Sequence, residues 1–155
     1  MAVAEIDALI AAIKQKAPPG VDIVIPPRVF EEMGAEIIDF ERNAYLTVRV
    51  PALDRYSGPL GAMQGGMIGA AFDNAYGPFS YLVAKRPCVT KTMDTMFIRP
   101  IKAGDDALIV RAELLAKTRS LLFLQGRATN EAGKLVATST TTMVILQHDQ
   151  LANMK

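Results

Sequence analysis

The sequence predicts an α+β fold, an antiparallel sheet of about six strands curled around one long central helix. Three observations lead there. One long apolar helical run, residues 64–85, lies between two short strand signals and four long ones. Met67, Ile68, Ala71, Phe72, Ala75 and Phe79 leave that run little polar surface, so a sheet must cover most of it. No repeat and no linker composition breaks the 155 residues, a length that fits one domain spanning 1–155.

The elements follow in order. Val3, Ile6, Leu9, Ile10 and Ile13 recur at helical spacing, and Pro18-Pro19-Gly20 stops them, which predicts an outer amphipathic helix within residues 1–20. PPRVFEEMG reads as a helical turn leading into a strand over Ala35–Phe40. Asn43 marks a turn, and Ala44–Val50 alternates apolar and polar residues as a half-buried strand does. Residues 51–62 hold two prolines and two glycines and form a loop before the central helix. Arg86-Pro87 closes that helix. Strands are then predicted over Val89–Ile98, Asp106–Ala116, Leu121–Asn130 and Leu135–Leu146, in meander spacing. Lys102-Ala103-Gly104-Asp105 turns the chain into the second of them, Glu131-Ala132-Gly133 joins the last two, and residues 147–155 read as a polar, frayed tail.

Composition narrows the function classes. The 17 basic and 16 acidic residues are spread along the chain for a net charge of +1, which leaves no footprint for nucleic acid or an anionic membrane. No stretch of about 18 uncharged apolar residues exists, so no membrane span is expected, and the acid-containing N-terminus does not read as a signal peptide. A single cysteine, Cys88, fits a reducing compartment, and a cytoplasmic location is expected. One Cys and one His leave too few ligands for a zinc site, and His148, in the tail, offers no base for a Ser–His or Cys–His mechanism. No metal or cofactor is expected. A hydrophobic content of 50% suits a chain that hides some surface against another subunit.

Motifs then carry a resemblance. Gly65-Gly66 precedes Asp73-Asn74 on one helix; Val89-Thr90 and Phe97-Ile98-Arg99-Pro100 share the next strand; and a hairpin ends in GKLVAT, Gly133 to Thr138. With the lead-in EEMGAEII, this order from Phe30 to Leu146 resembles the hotdog-fold acyl-CoA thioesterases, most closely their phenylacetate-degradation (PaaI-like) branch. The resemblance implies a hotdog fold, an acyl-CoA substrate, and a homodimer with interfacial sites, often assembled into a homotetramer. By position it implies that Asp73 is the catalytic carboxylate, that the Gly65 N–H points at the thioester oxygen, and that the Thr90 hydroxyl helps hold the attacking water. Two positions depart from the family pattern: Gln64 stands where histidine is usual, and Gly58 where asparagine is usual. The Gln64 amide can still donate a hydrogen bond.

Physical chemistry supports that layout. A helix N-terminus carries unpaired N–H groups and a positive dipole end, and glycines such as Gly65 and Gly66 let a carbonyl come close. Thioester hydrolysis needs such donors on the oxygen and a base or nucleophile on the carbon. Gly65 and Asp73 are eight residues apart, however, or about 12 Å along a helix. Both must reach one carbon. Two helices related by a two-fold axis can do so, with Gly65 of one facing Asp73 of the other. Asp73 is then expected to be partly desolvated and to accept a hydrogen bond from Thr90, with its role as base or nucleophile left open.

Plainer roles compete. Asp73 could share a solvent-facing stripe with Asn74, Gly77 and Ser80, Gly65-Gly66 could serve only packing, and Gln64 could be a helix cap. Arg99 could bind coenzyme A phosphates or make a local ion pair. Asp94 shares strand parity with Thr90 and is read as structural, and Cys88 as an apolar filler. Met63, Met67, Met93, Met96 and Phe97 are expected to line an adaptable acyl pocket, suited to aryl-acetyl or medium-chain groups. Gly66, Met67 and Arg99 are the substrate-binding candidates. The alternatives to a thioesterase are a non-catalytic acyl-CoA-binding or assembly module and, last, a dehydratase, which would need the histidine this chain lacks.

Overall fold

A computed structural model of the chain describes residues 2–104 and 106–153. Asp105 of the expected turn, the end of the tail at 154–155, residue 1, and the side chains of Ala2 and Val3 lie outside it. The order is α1 (Ala2–Gln15), α2 (Arg28–Glu32), β1 (Glu36–Glu41), β2 (Tyr45–Pro51), α3 (Gly65–Ala84), β3 (Cys88–Phe97), β4 (Ala107–Lys117), β5 (Leu121–Thr129), β6 (Leu135–Ile145) and α4 (His148–Ala152). All six strands join one antiparallel sheet in the order β1-β2-β4-β5-β6-β3. The sheet curls around α3, as its hydrophobicity requires: Ala71, Phe72, Ala75, Tyr76 and Phe79 are wholly enclosed. Each large ring contributes about 2–3 kcal/mol by leaving water.

Local chemistry sets the ends of α3. Gln64 is its N-cap in extended backbone, and its carbonyl accepts from the N–H groups of Met67 and Ile68 at 2.9 and 3.1 Å. The Gly65 and Gly66 N–H groups therefore precede the first hydrogen-bonded turn. At the other end Lys85 turns left-handed at φ 54°, its N–H on the Tyr81 carbonyl at 2.7 Å, and Pro87 cannot continue the helix. Under the middle of α3, Gly126 of β5 makes the close approach possible. A Cβ there would lie 2.6 Å from Tyr76 Oη and 2.9 Å from Phe72.

Three expectations need correction. The last four strands do not form a simple meander: β3 crosses to the far edge and pairs with β6, so only β4-β5-β6 run as sequential hairpins. Second, a β-bulge at Lys91 separates the Thr90↔Met143 pair from Thr92↔Thr142. One extra residue reverses the alternation. Thr90 thus shares the helix-facing side with Met93, Thr95 and Phe97, while Thr92, Asp94 and Met96 face the other way. Third, residues 148–152 form α4 rather than a frayed tail. The Gln147 N–H bonds Gln150 Oε1 at 2.8 Å, and Leu151 is buried.

Candidate functional site

Asp73 lies on a stripe of α3 that repeats every four residues: Gly65, Gly69, Asp73, Gly77. β3 runs antiparallel along it. A Cβ on Gly65 would lie 3.2 Å from the Phe97 ring, and one on Gly69 would lie 3.7 Å from the Met93 methyl. One step further, Thr90 Oγ1 donates to Asp73 Oδ1 at 2.7 Å. Small residues let the strand approach, and the stripe ends on a short charge-assisted hydrogen bond between carboxylate and hydroxyl. Asp73 Oδ2 has no hydrogen-bond partner among the described residues.

Asp73 is solvent-facing, but the wider stripe with Asn74, Gly77 and Ser80 is not. Asn74 is buried with its amide on the Met33 sulfur at 3.2 Å, and Ser80 is buried with its hydroxyl on the Gly77 carbonyl at 2.7 Å. Asp73 alone among these polar groups reaches solvent. It is exposed within one chain, whereas partial desolvation was expected. β3 is an edge strand, and among the described residues no further strand pairs with its open side.

Beside Asp73 and Thr90 opens a cavity of roughly 430 Å³, within the usual range of about 300–1,000 Å³ for small-molecule sites. The second half of α3 supplies one wall through Gly77, Pro78, Tyr81 and Leu82. Ile6 and Ile10 of α1, the Val24–Pro27 segment and Phe30 supply the facing wall. Met143, Val89 and Cys88 complete it. The Cys88 thiol bonds the carbonyls of Arg86 and Ser80 at 3.5 and 3.7 Å, and burial pushes its pKa up to about 11, so it is inert as a nucleophile at neutral pH. Burial likewise raises the Tyr81 hydroxyl.

This lining differs from the five residues expected around an acyl group. Met63 is buried in the core, Met96 and Phe97 lie on the exposed β3 edge, and Met93 packs at Gly69. None of the five residues expected to line the acyl pocket borders the cavity. The α1 and Val24–Pro27 contributions went unread because a helical apolar stripe looks the same whether it covers a core or a cavity. The signal was there in Ile6 and Ile10.

The other candidates sit apart from Asp73. Gln64, Gly65, Gly66 and Met67 form the start of α3, six to nine residues away, and the Gln64 side chain makes no cap hydrogen bond. Gly66 is open, with nothing within 4 Å of where a Cβ would stand. Among the described residues Arg99 makes neither an ion pair nor a contact with Asp73 or the cavity. Its Nη1 donates to the Leu135 carbonyl at 2.7 Å. Gly58 belongs to a loop bridge, its N–H on the Ala62 carbonyl at 2.8 Å. His148 is exposed at the start of α4. Among the described residues no three His, Cys, Asp or Glu side chains gather where a metal could bind, and no helix is long and apolar enough to cross a membrane.

With this geometry in hand, the chain compares with known proteins as follows. The family model of the thioesterase superfamily matches residues 60–137. A phenylacetic acid degradation-related protein from Ralstonia eutropha JMP134 is 32% identical, with 81% of this chain and 94% of that one covered at a TM-score of 0.71. The E. coli PaaI protein from the phenylacetic acid degradation operon superposes at a TM-score of 0.76 over 93% of this chain and 95% of its own, with 15% identity. The smu.793 protein from Streptococcus mutans UA159, bound to acetyl CoA, superposes at 0.71 over 81% and 97%, with 23% identity. No curated protein matches by sequence.

Proposed function

The chain belongs to the thioesterase superfamily, in its PaaI-like hotdog branch, and from that premise we propose that it hydrolyses acyl-CoA to a free acid and coenzyme A. The observation that carries this reading is the Asp73–Thr90 pair at the polar end of an otherwise apolar cavity. The acetyl-CoA on smu.793, a protein of the same fold, supports coenzyme A as the carrier.

In the proposed reaction the acyl group occupies the cavity and Asp73 acts as general base. Thr90 holds Oδ1, which leaves Oδ2 to take a proton from water. Water oxygen bonds to the thioester carbon, and the carbonyl electrons move to oxygen. The tetrahedral oxyanion collapses, the C–S bond breaks, and the departing thiolate takes the proton from Asp73. Products are the carboxylic acid and the free thiol, with no net change at the enzyme.

The oxyanion donors of this reaction are the partner subunit's Gly65 N–H and Gln64 amide. Within one chain the two halves stand about 12 Å apart on a single helix. A second copy paired along β3 relieves this. β3 is a long edge strand, with Met96 67% and Phe97 53% exposed, and such an edge is a template for another strand. Thr90 attends Asp73 at one end of β3 and Phe97 covers Gly65 at the other. Antiparallel self-pairing therefore brings Asp73 toward the partner's Gly65, twice per dimer. Gly66 and Met67 flank that oxyanion corner, and the exposed Arg99, beyond Phe97, offers a cation to coenzyme A phosphates. Pairing of dimers into a tetramer is part of the same proposal.

The test is Asp73→Asn on a panel of acyl-CoA thioesters, read by release of free thiol. Turnover should drop by about 10²–10⁴-fold with the melting temperature and oligomeric state unchanged. Wild-type turnover in that variant would remove Asp73 from the mechanism.

A further inference from the structure

We infer that α1 and the Val24–Pro27 segment are the selectivity wall of the acyl cavity, and that this cavity takes an unsubstituted hydrocarbon acyl group longer than acetyl. The inference deepens the thioesterase reading above and rests on it.

Four observations carry it. The wall is continuous with the proposed chemistry: Asp73 and Thr90 border the same roughly 430 Å³ space as Ile6, Ile10, Val24 and Phe30. The wall lies entirely before residue 60, where the match to the superfamily model begins. It is tied in place, with Lys14 Nζ of α1 donating to the Ile25 carbonyl at 3.4 Å and Ile6 buried in the core. Finally, the lining is almost free of polar partners. Away from Asp73 and Thr90, only Cys88 and Tyr81 carry polar side-chain atoms, and the Cys88 thiol already bonds two carbonyls. An acyl group bearing a hydroxyl or carboxylate at its far end would give up its water there for one side-chain partner at most, the Tyr81 hydroxyl.

Size and polarity are therefore read at different places. Acetyl needs only the Asp73–Thr90 end. A longer chain must run along Ile10 and Val24, which are half-buried and half-exposed, so both can change size without breaking the core.

The experiment compares acetyl-, octanoyl- and 8-hydroxyoctanoyl-CoA on wild type, Ile10→Trp and Val24→Trp, and separately measures decanoate binding by calorimetry. Wild type should favour octanoyl- over 8-hydroxyoctanoyl-CoA in kcat/KM by about 10- to 100-fold. Each variant should cut octanoyl-CoA turnover at least about tenfold while leaving acetyl-CoA turnover unchanged, and should lose decanoate binding. The chain has no tryptophan, so the indole of Ile10→Trp is also a unique fluorescence reporter for the cavity. Equal kcat/KM for the two eight-carbon substrates, or an equal loss on acetyl- and octanoyl-CoA in the variants, overturns the inference even if hydrolysis is robust. If wild type releases no thiol yet binds decanoate and loses it in Ile10→Trp, the wall stands and the thioesterase reading falls. No decanoate binding together with no variant effect removes the wall.

Discussion

Asp73 and Thr90 make the tightest local claim. A hydroxyl that donates to Oδ1 at 2.7 Å holds the carboxylate in one rotamer. A bond to a charged group contributes roughly 1.5–3 kcal/mol, so Thr90→Val should lower kcat about 10- to 100-fold with KM little changed, and Thr90→Ser should keep most of the rate. Steady-state kinetics on the best acyl-CoA decide it, and a Thr90→Val enzyme as fast as wild type would make the contact incidental. This pair was legible from the sequence because both residues sit at the ends of motifs with fixed spacing. The hydrogen-bond partners of Arg99 and Asn74 were not, since each depends on a segment distant in the chain, at Leu135 and Met33.

The strands and the central helix were legible nearly to the residue, since each is bounded by its own Gly, Pro or charge signal. What β3 does was not. Its register turns on a one-residue bulge at Lys91, and no sequence period records an inserted residue. Its place beside β6 depends on a crossover that spacing alone does not distinguish from a hairpin. Both features matter, because together they leave β3 as an edge with Thr90, Met93 and Phe97 turned toward the glycine stripe of α3. If that edge is where two copies meet, a charge on it should separate them. Met96→Lys sets like charges across the two-fold axis and should raise the dimer dissociation constant at least about tenfold. Analytical ultracentrifugation should show monomer appearing, with thiol release falling in step. A monomeric variant at full activity, or an unaltered dimer, would move the interface elsewhere.

At the scale of the whole molecule, the chain reads as two half-sites facing opposite directions along one helix. The proposed oxyanion corner at Gln64, Gly65 and Gly66 and the proposed base at Asp73 share one helix, about 12 Å apart along it. The N-terminal wall belongs to the Asp73 half. The exposure of Asp73 in a single chain has the same origin as the exposure of Phe97, an edge that a second copy would cover. Subunit complementation tests this most directly. Asp73→Asn removes the proposed base. Gly65→Pro removes the proposed donor at a position whose backbone suits proline, since Gln64 is already extended, and it requires the Phe97 ring, 3.2 Å from the new Cβ, to shift slightly. Each variant alone should be inactive. Mixed and allowed to exchange subunits, they form heterodimers with one intact site in two, and thiol release should recover to about a quarter of wild type. A mixture as inactive as its components, with heterodimers present, would mean that each site is built within a single chain.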